Sequence, residues 1–511
     1  MAKVDWAKTF DLKKAVENLR VEMVGDWHQD PWGWPELGYI LNKEPQTAFS
    51  HCDASGTRRP ALVDVPKENW GTRPAVVLDI VDRVVYQALV DRLSVQLIGD
   101  MSPNAFGWRL PPTAPAPGVY SHNNNQWAGY RGHLSLLAGW HQAALRTDLV
   151  SFFASIPVPE LQEAIQDRCA SSAVTKRLCD VVEGFGAVPG RSGLAQRSTA
   201  SAVLANMYLA PLDDVLLHHA TPLMVMWRSK VRYHSFARWM DDIWLFVDDP
   251  AAARRAQMEL QAAAQSLGLN LNSAKTDVLE GDDVAEQARE IEHSAVDGAI
   301  EEAPPDYVPL EELIDRILDN PEKASRTSLK FATQRMRDKG HEYRVSDLAL
   351  AAKRMPHAAD ALARLFKHVF THSSMQEWYL EYATSDWTTH EWSVAQLGRI
   401  FPSSKAVRKP LREFFANAIR DANTGLPLLS VAAQRLGVWD PPEARDACRD
   451  AFRRAASPQA RRVLALTALG AGETRTKVRS WLKADPENDV TLRMLESCGF
   501  VAPPVSKDFA V

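Results

Sequence analysis

Ala237-Arg238-Trp239-Met240-Asp241-Asp242-Ile243-Trp244-Leu245-Phe246-Val247 is the stretch that decides the fold. Two apolar runs bracket an acidic pair, the pattern of a β-hairpin with charge at its turn. An Asp-Asp pair is by itself usually a solvated turn, and the chain has three others, Asp213-Asp214, Asp248-Asp249 and Asp282-Asp283. The pair at 241 differs because strand-like residues flank it on both sides. Charge set inside such a hairpin has to be explained.

Upstream, Arg146-Thr-Asp148-Leu-Val-Ser-Phe-Phe-Ala-Ser-Ile156 puts Asp148 at the end of another apolar strand. Between the two segments, Gly193-Leu-Ala-Gln196-Arg-Ser-Thr-Ala-Ser201 is a turn of small residues that feeds a long helix reaching His219. Downstream, a helix over 252–266 ends at Gly268 and leads into Leu267-Gly-Leu-Asn-Leu-Asn-Ser-Ala-Lys275-Thr276. Residues 60–100 read as a strand (ALVDV), a turn and a helix whose buried face carries Ile80, Val84, Ala88 and Val90. Residues 111–129, rich in Pro and Asn, read as a loop. Short β-like runs alternating with helices over 146–305 predict an α+β palm.

The texture changes near Glu301-Glu-Ala-Pro-Pro-Asp-Tyr307. Beyond it, helical stripes recur almost without β-like runs. Leu310, Leu313, Ile314, Ile317 and Leu318 form one; Leu411, Phe414, Phe415, Ala418 and Ile419 another; Val463, Leu464 and Leu466 a weaker third. Stacked helical hairpins of irregular period are expected. The division is therefore an aromatic, helical N-terminal arm over 1–45, an α+β region over 46–300 and an all-α, repeat-like region over 305–511.

Composition narrows the class. The net charge of -5 excludes a histone-like nucleic-acid binder, but a polymerase needs only a local basic groove. The five cysteines stand apart without CxxC spacing, which fits a reducing cytoplasm. His218 and His219 are adjacent and read as surface residues, not zinc ligands. No stretch approaches the ~20 apolar residues that span a bilayer, and no signal peptide is legible. A soluble, cytoplasmic protein with no membrane contact is expected.

Three aspartates on rigid strand ends suit a particular chemistry. Joining a nucleotide to a hydroxyl is served by two cations ~3.5–4 Å apart, one activating the hydroxyl and one offsetting charge on the leaving pyrophosphate. Magnesium takes hard oxygen ligands and few protein contacts. Asp148, Asp241 and Asp242 are the candidate ligands for two Mg²⁺, with Mn²⁺ an alternative.

Taken together, these segments resemble reverse transcriptases. Asp148-Leu-Val-Ser-Phe-Phe resembles the family's first catalytic motif, and Trp239-Met-Asp-Asp242 its aromatic-x-Asp-Asp motif. Gly193-Leu-Ala-Gln196 with Leu204-Ala-Asn206-Met-Tyr208 resembles its Gly-x-Pro-Gln-Gly and Leu-Ala-Asn segment. Lys275-Thr276 resembles its later Lys-Thr element, and Asn104-Ala-Phe-Gly-Trp-Arg109 its Phe-Gly-Tyr-Arg element. Order and spacing agree over roughly residues 60–285. Gly25-Asp-Trp27-His-Gln-Asp30-Pro-Trp32-Gly-Trp34-Pro-Glu36-Leu37 resembles a segment of bacterial defence-associated reverse transcriptases, of the abortive-infection and unknown-group type.

That resemblance implies fingers and palm followed by a helical-repeat domain, and a DNA nucleotidyltransferase using dNTPs in antiphage defence. It also implies a homo-oligomer and, in some members, untemplated or protein-primed synthesis, with DNA as product and a non-coding RNA as a further partner. Phe153, five residues after Asp148, is the implied steric gate against ribonucleotides; the alternative is a core Phe on a strand. Gln196 and Leu149 are implied nucleotide contacts, as are Lys67 and Arg73 after the first strand. Arg109 is a similar loop cation. Lys275 is the candidate general acid near the leaving pyrophosphate. Tyr307, Tyr343, Tyr379 and Tyr382 are candidate priming hydroxyls. Trp27, Trp32 and Trp34 suit base stacking or, more commonly, core packing. Trp378, Trp387 and Trp392 with the apolar stripes argue for self-association.

Two positions depart from the family pattern. Ala195 stands where Pro is usual and Arg197 where Gly is usual, which puts ordinary templated copying in question. Two rivals stay open: a group II intron or retron-type enzyme copying a dedicated RNA, and a catalytically idle helical scaffold.

Overall fold

The computed structural model describes residues 4–509 except 55, 187, 189–192 and 224–232. Its strands are β1 (Ala61–Pro66), β2 (Thr72–Val77), β3 (Ala105–Phe106), β4 (Ala143–Thr147), β5 (Phe236–Trp239), β6 (Asp242–Val247) and β7 (Asp277–Glu280). A mixed α/β region over about 60–300 has the make-up of reverse-transcriptase fingers and palm, and an all-α region follows over about 308–497. By contacts, the chain groups into two compact units. One is Met1–Glu22, Ala48–Thr57 and Val81–Asp297; the other is Met23–Thr47, Arg58–Ile80 and Gly298–Val511.

The first unit is built on a five-stranded sheet of order β3-β5-β6-β4-β7. β3 runs parallel to β5, and the remaining pairs are antiparallel. The hairpin expected at Asp241 is present as β5–β6, with Trp239 paired to Asp242 and Met240 in the left-handed region at φ 56°. Strand alternation then sorts the side chains. Trp244 and Phe246 join Tyr130, Leu134, Leu137, Val284 and Ala288 in one core layer, under the helices Asn123–Leu137 and Asp282–Arg289. The other sheet face packs against the helices Ala210–His219 and Pro250–Ser266. The helix Ile80–Ile98 is buried nearly all round, more than its single apolar face suggested.

Four local expectations are corrected. The loop over 111–129 gives way at Asn123 to a helix, N-capped by His122. The residues after Asp148 do not continue as a strand: Phe152–Ser155 is a helical turn, with Phe152 buried and Phe153 half-buried. The long helix after the Gly193 turn is two helices, Thr199–Tyr208 and Ala210–His219, bent by 49°; Pro211 lies in the first turn of the second, where a missing N–H is tolerated. Asp213 is not a solvated acid but the buried partner of Arg238. Among the described residues no single helix is long and apolar enough to cross a membrane; the bent pair reaches that length and apolarity only together.

In the second unit, helices alternate between two rows. Arg326–Lys339, Ala359–Val369, Glu391–Gly398, Leu426–Trp439 and Pro458–Gly470 stack in sequence, each against the next. Lys409–Arg420 packs against both His372–Ala383 and Pro441–Phe452 in the other row. The inner helices from Glu391 onward are buried on nearly every side, which is why their apolar stripes read weakly in the sequence. The hairpin β1–β2 packs on Glu391–Gly398 and Leu426–Trp439. Its second strand was not anticipated, because Pro74 lies in it.

The N-terminal tryptophans are core residues. Trp27, Trp32 and Trp34 are all buried. Trp27 meets Trp392 edge-on, and the Trp392 indole donates to its carbonyl at 2.9 Å. The Arg462 guanidinium lies over Trp34, 4.7 Å from the ring centroid. Trp378 is likewise engaged, its indole donating to the Ala349 carbonyl. Of the three tryptophans that argued for self-association, Trp387 alone is exposed, and it leans on Trp70.

Candidate active site

β4 ends at Thr147, so Asp148 leaves the sheet at its edge. The chain over 270–272 fixes that exit: Asn272 N–H donates to the Asp148 carbonyl at 2.7 Å, and Val150 N–H to the Asn270 carbonyl at 3.0 Å. The β5–β6 turn brings Asp241 to the same edge. Burial, and after it the Asp148 charge, pushes the Asp241 carboxyl up to about 7. Lys275, in the short 3-10 turn Ser273–Lys275, sets its ammonium 2.9 Å from Asp148 Oδ2. Asp148, Asp241 and Lys275, all singled out from sequence, thus meet.

Asp242 is arranged differently. Tyr130, on the helix Asn123–Leu137, donates its hydroxyl to Asp242 Oδ2 at 2.8 Å. Burial raises the Asp242 carboxyl above its usual range, and the Tyr130 hydrogen bond and the Arg146 charge oppose that rise. Among the described residues no group of three or more His, Cys, Asp or Glu side chains is arranged to hold a metal ion. The donor set nonetheless suits magnesium: two hard carboxylates at one end of the sheet, one of them raised by burial and then by the other's charge, are what a cation relieves. Two such ligands are enough for an ion that keeps several waters and takes substrate phosphates.

The turn is held from below by a residue not foreseen from the motif. Arg238 is fully buried and forks onto Asp213 with two bonds of 2.7 Å. Its remaining nitrogen donates to Asn206 Oδ1 at 3.0 Å and to the Met240 carbonyl at 3.2 Å. A planar fork of this kind fixes direction as well as charge. Asn206 in turn donates to the Gly107 carbonyl at 3.0 Å. The Leu-Ala-Asn and Phe-Gly segments are therefore joined to the acidic turn by hydrogen bonds.

The Gly193 turn lies against Phe153. Leu194 N–H donates to the Phe153 carbonyl at 2.7 Å, and a Cβ on Gly193 would stand 2.1 Å from that oxygen. Only glycine fits there. Gln196 follows, half-buried, and Arg197 is exposed with φ 61°, a left-handed conformation that explains the glycine usual at this position. Leu149 is buried, so a nucleotide could meet it only through its main chain.

Other candidates are occupied by packing. Arg109 donates to the Pro103 and Ala105 carbonyls at 3.1 Å. Lys67 and Arg73 lie on the β1–β2 hairpin, in the second unit, where the Arg73 guanidinium sits 5.0 Å over the Trp27 ring. Tyr379 and Tyr382 are buried, the Tyr379 hydroxyl bonded to the Val394 carbonyl, so neither presents a nucleophile in this conformation. Tyr307 and Tyr343 are part-exposed.

Residues 65–303 match the profile of the family described as reverse transcriptase (RNA-dependent DNA polymerase). The chain carries a reverse-transcriptase-like domain. A search of curated proteins finds no match. Within the reverse-transcriptase-like domain lie every motif quoted above from 104 to 276, the paired carboxylates Asp148 and Asp241, and the Arg238 fork beneath them.

Proposed function

We propose that this domain is a DNA polymerase that transfers dNTPs by two-metal chemistry. The observation that carries the reading is the pairing of Thr147 with Ile243, which sets Asp148 and the Asp241-Asp242 turn at one end of the sheet, with Lys275 on Asp148. Asp148 and Asp241 would hold Mg²⁺ or Mn²⁺, with Asp242 beside them. Such ions, when bound, lower the pKa of the attacking hydroxyl and offset charge on the pyrophosphate. Lys275 holds Asp148 in place and brings an ammonium proton to the site. Phe153 and Gln196 stand on adjoining turns, where they would border the sugar and the base.

The test is incorporation of labelled dNTPs by the purified chain with Mg²⁺. Wild type should incorporate label, and Asp241→Ala with Asp242→Ala should not, while keeping its circular dichroism. Undiminished incorporation by the folded double variant would overturn the assignment. Sequencing the product with and without RNase separates templated from untemplated synthesis.

The proposed biological setting is bacterial antiphage defence. It is supported by the likeness of Gly25–Leu37 to defence-associated reverse transcriptases and by the helical region after the palm. Phage plating on bacteria expressing wild type or the double variant tests it. Equal plating on both would count against the role.

A further inference from the structure

We propose that Tyr130 is the positioning residue for Asp242, holding one carboxylate oxygen so that the other is the one offered to a divalent cation. The inference deepens the polymerase reading and rests on it. No motif of the acidic hairpin contains Tyr130; it stands 112 residues earlier in the chain.

The geometry is specific. The Tyr130 hydroxyl donates to Asp242 Oδ2 at 2.8 Å, and the residue is 1% exposed. Its ring is confined on several sides, by Phe106 at 5.7 Å, Trp127 at 5.4 Å and Trp239 at 5.8 Å between centroids. The helix that carries it is also fixed. Asn123 at its start accepts the Trp108 N–H at 2.9 Å, and Leu134 and Leu137 are buried in the core layer. A hydroxyl so placed has little choice of direction. Asp242 begins β6 and pairs with Trp239, so its backbone is equally constrained. The remaining freedom at Asp242 is side-chain rotation, which the Tyr130 bond removes. Without that bond the carboxylate is able to turn toward Arg146, whose charge already bears on it.

Groups that orient a metal ligand typically change metal affinity 10–100-fold when removed. The test is Mn²⁺ binding followed by electron paramagnetic resonance, with dNTP incorporation measured alongside, for wild type, Tyr130→Phe, Asp242→Asn and the double variant. Tyr130→Phe should weaken Mn²⁺ binding about tenfold or more and lower kcat with little change in the KM for dNTP. In the Asp242→Asn background the same change should have no further effect on Mn²⁺ binding. Val284→Ala loosens the same core layer from another helix and should bind Mn²⁺ as wild type does. Wild-type binding by Tyr130→Phe would overturn the proposal, as would a full further loss in the double variant or an equal loss in Val284→Ala. Wild type that neither binds Mn²⁺ nor incorporates dNTPs would overturn the polymerase reading itself.

Discussion

Asp30 and Arg462, 432 positions apart in the chain, form a buried ion pair at 2.6 Å. Arg462 also forks onto Glu36 at 2.7 and 2.8 Å, and Thr491 donates to the same carboxylate. Burial works against the charge on Arg462, and the two carboxylates outweigh it. The Asp-x-x-x-x-x-Glu spacing of the tryptophan-rich segment thus serves to anchor that segment onto the helices Pro458–Gly470 and Asp489–Ser497. Asp30→Ala should lower stability by about 3–5 kcal/mol, because it leaves a buried charge under-compensated. Arg462→Ala should cost at least as much. Thermal melts of the full chain check both; a loss below about 1 kcal/mol would mean that the pair is solvated, as surface pairs are.

Asp241 carries the cost of its burial and, after it, of the Asp148 charge. Its carboxyl is pushed up to about 7, so ionising it at pH 8 opposes folding when no cation is present. Asp241→Asn should therefore raise Tm at pH 8 without metal. The same change should abolish incorporation and remove the further rise in Tm that Mg²⁺ gives the wild type. That rise corresponds to about 2.7 kcal/mol at a hundredfold excess over Kd. A variant that melts lower than wild type without metal would contradict the like-charge argument.

Asp91 gives a second pH dependence, far from the carboxylate pair in sequence. It is buried and accepts from Gln87 at 2.7 Å, Tyr120 at 2.8 Å and Asn18 at 3.0 Å, and the Lys14 charge also bears on it. Burial pushes its carboxyl up to about 6, from an ordinary value near 3.8. The folded state then binds more protons than the unfolded state between those values, so stability falls as pH rises from about 4 to 6. The group's share is at most about 3 kcal/mol, at 1.36 kcal/mol per pKa unit. Urea unfolding at pH 4.5 and 7 should show the fall in wild type and a smaller one in Asp91→Asn. Equal slopes in the two proteins would refute it.

Phe153 is expected to exclude ribonucleotides by contact with the sugar. Its carbonyl is fixed by Leu194 N–H and crowded by Gly193, so the ring has a defined base. Phe153→Ala should relax the preference for dNTPs by about tenfold or more, the scale of steric discrimination in an apolar pocket. Unchanged discrimination would leave Phe153 a packing residue beside Phe152, 5.1 Å away between ring centroids.

The palm was legible because its signals are local. Apolar runs around Asp241, a strand ending at Asp148 and a glycine turn before a helix each declare themselves within a dozen residues. The residues that hold the site do not. Tyr130 and Arg238 act across 112 and 25 positions, and Tyr130 stands just past the Pro- and Asn-rich stretch that reads as a loop. Arg238 sits inside the decisive hairpin and still escaped notice, because a charged residue on a strand reads as its exposed face. Asp213, on a helix, reads as a solvated acid because only its buried partner distinguishes it from one. The second strand of the β1–β2 hairpin was hidden by Pro74, and the inner helices of the second unit by burial on all sides.

DNA synthesis is expected to begin from a tyrosine of this chain, and of the four candidates in the helical region Tyr307 and Tyr343 are the part-exposed ones. The Arg197 turn departs from the family where a base-paired primer and template would pass, and a tyrosine hydroxyl is chemically adequate in place of a 3′-hydroxyl. Tyr379 and Tyr382 are enclosed by packing. Tyr307 stacks on His341 at 4.3 Å between ring centroids, and the Tyr343 ring lies 6.3 Å from the same imidazole. The Tyr343 hydroxyl already donates to Asp315, at 3.2 and 3.3 Å from its two oxygens. A carboxylate in that position accepts the proton that nucleophilic attack must release. Tyr343 is therefore the first choice. The measurement is denaturing electrophoresis of the chain after incubation with labelled dNTPs and Mg²⁺, before and after protease. Label should migrate with the protein, become small after protease, and be lost in Tyr343→Phe but kept in Tyr379→Phe. Label that runs clear of the protein in wild type would rule out a protein primer, and label kept in Tyr343→Phe but lost in Tyr307→Phe would move the primer to Tyr307.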